Sequence, residues 1–97
     1  MRRQIQFTCQ LFHEGDQIVS LCPELSVSSF GGTPEEAEAA LFEAVALFLE
    51  ECERMGTLNE VLEEAGYSLE RRETPAPVEE WTPPRPLKTL HLELALA

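Results

Sequence analysis

At 97 residues the chain has room for one modest core and no second. Its 43% hydrophobic and 26% charged residues are ordinary globular proportions and exclude wholesale disorder. The formal charge of −11 is concentrated, because residues 34–64 hold ten glutamates against one cation, Arg54. Such a field disfavours nucleic acid as a partner and steers in a basic protein, the alternative being a solvated face that only confers solubility.

No apolar run approaches the roughly 18 residues of a membrane span, and Met1-Arg2-Arg3-Gln4 leads into an alternating segment instead of a signal-peptide block. A cytoplasmic protein without membrane contact is expected. Cys9, Cys22 and Cys52 are odd in number and lack close spacing, so they read as small core hydrophobes instead of a disulfide framework.

Taken in chain order, Ile5, Phe7, Cys9 and Leu11 alternate with Gln4, Gln6, Thr8 and Gln10, the pattern of a half-buried strand. Glu14-Gly15-Asp16 supplies a turn and Gln17 to Cys22 a second strand. Pro23 ends it, Pro23-Glu24 is a bend, and Leu25 to Phe30 is a third strand, so that residues 1–30 form a three-strand meander. Gly31-Gly32 releases the chain from the sheet. Thr33-Pro34-Glu35-Glu36 then predicts a helix start, with Thr33 as cap, Pro34 in the first turn and Glu36 bonding back to the Thr33 N–H.

The main helix is expected over 34–55, with Ala37, Ala40, Leu41, Ala44, Phe48, Cys52 and Met55 on the sheet-facing side. Phe42, Val45 and Leu49 widen the apolar arc beyond one sheet contact, so a second helix or another subunit should cover that flank. Gly56 stops the helix. Thr57 and Glu60 repeat the capping pattern, opening a short helix over 57–66 that ends at Gly66. Residues 74–86 contain five prolines and predict an extended connector that is neither helix nor central strand, with Trp81 pinning it to the body. Leu90, Leu92, Leu94 and Leu96 alternate with His91, Glu93, Ala95 and Ala97, predicting a C-terminal strand over 88–97 beside the N-terminal one.

Together, Cys22-Pro23-Glu24-Leu25, Ser29-Phe30-Gly31-Gly32-Thr33-Pro34-Glu35-Glu36-Ala37 and Glu43-Ala44-Val45-Ala46-Leu47-Phe48-Leu49-Glu50 resemble the HicB antitoxin family. Cys52-Glu53-Arg54-Met55-Gly56-Thr57-Leu58 and Leu62-Glu63-Glu64-Ala65-Gly66-Tyr67 look like a subgroup with a second helix. The resemblance implies a single α+β domain of β-β-β-α-(α)-β order, an antiparallel-type sheet covered by one long helix in a partial ribonuclease-H-like fold. It also implies that the protein neutralises a basic, mRNA-cleaving HicA toxin by direct contact. The family's frequent C-terminal DNA-binding domain is not expected here, because the last residues read as a core-type strand. Ser26-Val27-Ser28-Ser29-Phe30 stands where many members carry Pro-Gly-Cys, so contacts there are expected to differ.

For such a partner, Glu43, Glu50 and Glu53 are candidates for steering and Glu24, Ser26 and Ser28 for close contact. Phe42, Leu49 and an open strand edge are candidates for self-association into a homodimer or higher oligomer, which is also the alternative function if no toxin partner survives. An enzyme is not expected. Two-metal nuclease chemistry needs converging carboxylates with aspartate among them, and the single aspartate, Asp16, lies in the hairpin turn. Cys9, Cys22, Cys52, His13 and His91 lack the short spacing that zinc chelation favours, so neither metal nor cofactor is expected.

Overall fold

The computed structural model describes residues 2–73 and 75–95. Their elements run β1 (Arg2–Ile5), β2 (Gln10–Glu14), β3 (Gln17–Cys22), β4 (Val27–Gly31), α1 (Pro34–Met55), α2 (Leu58–Glu64), β5 (Ser68–Arg72) and β6 (Val78–Thr82). The class is α+β, as expected. The strands form two sheets of three, ordered β2-β3-β4 and β1-β6-β5. In the first, both pairings are antiparallel; in the second, β5 runs antiparallel to β6 and β1 parallel to it. Among the described residues no helix is long and apolar enough to cross a membrane.

The antiparallel meander is therefore β2-β3-β4, and the N-terminal strand does not continue through residue 11. It breaks because its backbone finds other partners: the Gln6 N–H bonds the Trp81 carbonyl at 3.0 Å, while the Thr8 N–H donates to the Glu24 carboxylate at 2.5 Å. A ladder whose donors are taken by a side chain cannot propagate. β1 consequently belongs to the other sheet.

Helix α1 packs across β3 and β4, over the face bearing Ile18, Ser20 and Cys22, all buried. Its start follows the capping logic. The Thr33 Oγ accepts from the Glu36 N–H at 3.1 Å, but the reciprocal bond of Glu36 goes to the Gly32 N–H at 3.0 Å, one residue earlier than Thr33. Gly31 permits the close seating of this first turn, since a Cβ there would lie 2.6 Å from the Ala37 backbone nitrogen. Gly56 caps the far end. At α2 the second capping box does not form: Thr57 makes no side-chain cap, and its hydroxyl instead donates to the Cys52 carbonyl at 3.4 Å.

The stripe that α1 buries is Ala37, Leu41, Val45 and Cys52, whereas Phe48 and Met55 are exposed. It is turned toward Val45 and Leu49 because α2 closes over that side. Leu58 and Leu62 share one core cluster with Leu41, Val45, Cys52, Tyr67 and Trp81, and Leu49 packs on its margin.

The proline-rich segment is corrected more sharply. Its five prolines flank residues 78–82 without entering them, and that proline-free window forms β6, the central strand of its sheet. Trp81 is 1% exposed and sits in the core cluster. On the same strand face, Glu79 is buried between its cross-strand neighbours Arg3 and Arg71, 3.6 Å from each guanidinium. One edge of the N-terminal strand is thus taken by β6. Residues 88–95 form no strand and are exposed; Thr74, Leu96 and Ala97 lie outside the described residues.

Truncation of Trp81 to alanine is expected to destabilise the protein by about 3–5 kcal/mol. Met55→Ala, at an exposed site, should stay within about 0.5 kcal/mol. Urea denaturation of both variants tests the assignment of the core.

Candidate binding surface

Strand β3 is apolar at both parities. Ile18 and Cys22 point under α1 with Ser20 between them, and Val19 and Leu21 point the other way. Strands apolar on both sides belong to sheets covered on both faces. Here α1 covers one face and the described chain leaves the other open.

The register defines that open face. Val19 stands between Phe12 of β2 and Phe30 of β4, and Leu21 stands between Gln10 and Ser28. Phe12 is 50% and Phe30 61% exposed, so two aromatic rings in water flank the half-buried Val19 across the meander. Glu14, Gln17 and Ser28 border it, and with Val19, Ser29 and Phe30 they line a shallow depression. An apolar centre with a polar rim is the anatomy of a protein-binding patch.

The acidic surface lies on the opposite side of the meander, on α1. Glu43, Glu50 and Glu53 are all exposed. Glu43 and Glu50, seven residues apart, share one stripe of the helix. Glu53 is paired with Arg3 at 2.5 Å, tying β1 to the end of α1, and Glu51 is paired with Arg54. Exposed pairs of this kind contribute little stability and leave the field of the helix strongly negative.

Glu24 is half-buried, and its two carboxylate oxygens are occupied by the Thr8 N–H and the Thr8 hydroxyl. Partial burial pushes its pKa up, but these two bonds, its own backbone N–H and the Cys22 thiol outweigh that and hold it below the ordinary value. Beside it, burial pushes the Cys22 thiol up to about 11, so it stays protonated and inert at neutral pH. The Tyr67 hydroxyl donates to the Gln6 carbonyl at 2.6 Å, and burial followed by the Glu24 charge raises its pKa. This cluster is a structural clasp joining residues 6–8, the bend after β3 and the corner after α2.

The close-contact candidates are thereby separated. Ser28 lies on the open face, Ser26 occupies the bend with φ +56°, and Glu24 is engaged inside the chain. Of the self-association candidates, Leu49 is half-buried against the core, while Phe42 is 63% exposed and meets Phe7 with ring centroids 6.0 Å apart. Cys9 is exposed, against the expectation of a core thiol, because the strand breaks before it. Among the described residues no group of three or more histidine, cysteine, aspartate or glutamate side chains is arranged to hold a metal. Phe12, Val19, Leu21 and Phe30 are not among the contact candidates expected from the sequence; the two-sided apolarity of Ile18-Val19-Ser20-Leu21-Cys22 is the local signal for Val19 and Leu21, and the register adds the two phenylalanines.

No protein-family model matches the chain, and no curated protein or solved structure matches it at a significant level.

The lowered pKa of Glu24 has a signed consequence. A carboxylate depressed in the folded state contributes stability that is present above its unfolded pKa and is lost as pH falls through the folded value. Thermal unfolding at stepwise lower pH should therefore show a steeper acid loss in the wild type than in Glu24→Gln, with Glu24→Gln the less stable at neutral pH.

Proposed function

We propose that the protein is an antitoxin-like binding module of the HicB type, acting in the cytoplasm by contact and not by catalysis. Its partner on this reading is a basic, mRNA-cleaving HicA-type ribonuclease. The observation that carries the reading is β3, a strand apolar on both sides and covered on one. The open face offers Phe12, Val19, Leu21 and Phe30 as the centre of an interface, with Ser28, Gln17 and Glu14 at its rim.

Charge supports the same partner chemistry. A net charge of −11, with exposed Glu43 and Glu50 on α1, accelerates encounter with a cationic protein and sets its orientation before the apolar face is buried. The motif run from Cys22 through the α1 entrance has local work in this structure as bend, close backbone approach and helix cap. The same motifs carry the HicB resemblance.

Titration calorimetry with a basic HicA-type ribonuclease, paired with an mRNA-cleavage assay, tests the proposal. Association at a Kd of about 1 μM or tighter is expected, together with inhibition of cleavage. Phe30→Glu, which alters only an exposed side chain, should weaken binding roughly thirtyfold, the loss of about 2 kcal/mol typical of a central aromatic anchor. Added salt should slow association. Absence of binding at micromolar concentrations would overturn the reading.

A further inference from the structure

The last part of the chain is written as a strand and pairs with nothing among the described residues. Leu90, Leu92 and Leu94 fall on one side of an alternating segment and are 80%, 78% and 70% exposed. Isolated exposed leucines are common on protein surfaces, but three at strict period two are a strand face without a partner.

The body meanwhile has a strand edge without a partner. β2 bonds β3 on one side, and among the described residues its other edge is free. Because α1 sits over β3 and β4, a groove of about 580 Å³ opens beside β2, lined by Phe7 and Cys9 of the segment leading into β2 and by Glu35, Glu38, Ala39 and Phe42 of α1. Leu11, 41% exposed, lies on this helix side, since it stands opposite the buried Ser20. The groove has an apolar floor and an acidic rim beside an open ladder.

Length, pattern and charge of the tail match this site. β2 spans five residues, Gln10–Glu14, and the alternating tail from Leu90 to Leu94 has the same span. From Pro84 onward Arg85 and Lys88 outnumber Glu93, whereas the rest of the chain is strongly acidic, so a weakly basic arm is complementary in charge to Glu35 and Glu38.

The route of the arm selects a second molecule as the acceptor. Pro83 is buried and Pro84 packs on Gly66, whose φ of +87° admits no ordinary side chain there. Pro83, Pro84 and Pro86 then hold the backbone extended as it leaves. The molecule measures 60 × 32 × 26 Å, and its radius of gyration of 16.7 Å exceeds the ~12.5 Å of a compact chain of this length. An arm leading away from its own body accounts for both.

We propose that residues 87–95 of one copy add as a strand to the free edge of β2 in a second copy, placing Leu90, Leu92 and Leu94 toward the groove between α1 and the segment leading into β2. Reciprocal exchange of two arms closes a two-fold dimer and removes the exposed edge from both molecules. The proposal is independent of the proposed function, which assigns the opposite face of the meander to the partner.

Light scattering on the full chain at tens of micromolar should give a dimer, and a chain truncated after Pro86 a monomer. Among the described residues, the truncation removes none that is buried. A synthetic peptide of residues 85–97 should bind the truncated body and lose that binding in Phe42→Glu. In the full chain, Leu92→Glu should raise the dimer dissociation constant by at least about tenfold, while His91→Gln, on the other side of the arm, should change it by less than about twofold. A monomeric full chain, a truncated chain that remains dimeric, or equal effects of the two substitutions would each overturn the proposal.

Discussion

The carboxylate of Glu24 takes the N–H and the hydroxyl of Thr8, and by doing so decides where the N-terminal strand stops. Had Thr8 continued a ladder, residues 2–14 would be one long strand in one sheet. The break instead sends β1 to pair with β6 and lets β2 start the meander, so two small sheets share a chain and meet over one core. Charge-assisted hydrogen bonds to a carboxylate are stronger than neutral ones, and two of them from one residue converge here on a half-buried Glu24.

Everything near the clasp is arranged around that junction. Cys22 and Leu25 reach it from the meander, Tyr67 from the corner after α2, and Trp81 from the middle of the second sheet. The second sheet adds a row of alternating charge, Arg3, Glu79 and Arg71, laid across three neighbouring strands. A buried carboxylate with a cation on each side costs less than one left alone. The arrangement also fixes strand register, because sliding β6 by one residue would exchange Glu79 with Glu80 or Val78. The surfaces left over are then of two kinds, an uncovered apolar sheet face and a strongly acidic helix, lying on opposite sides of the meander.

Much of the architecture was legible because it is local. The cap at Thr33, the stop at Gly56, the bend at Pro23 and the long periodic run of α1 depend on neighbours in sequence. What escaped was decided at long range. The break at Thr8 needs Glu24, sixteen residues on, and nothing in Gln6-Phe7-Thr8-Cys9 announces it. β6 was hidden by composition: prolines at 75, 77, 83, 84 and 86 dominate the segment, yet Val78-Glu79-Glu80-Trp81-Thr82 alternates and contains none. The C-terminal leucines carry a sound strand pattern, but pattern alone cannot choose a partner, and the strand paired with β1 among the described residues is β6. Of the candidate contact residues, Ser28 and the glutamates of α1 stand on surface, while Glu24 proved to be internal structure, since a polar residue beside a bend reads alike in both roles.

The position of Trp81 has a practical corollary. It is the only tryptophan in the chain, and it lies where the two sheets and both helices converge. Its indole emission therefore reports one event, the docking of the second sheet onto the helical layer, with no background from elsewhere. Separation of the sheets would flood the ring with water and shift its fluorescence to the red even if each hairpin kept its backbone bonds. The molecule carries an internal optical gauge of its own tertiary closure.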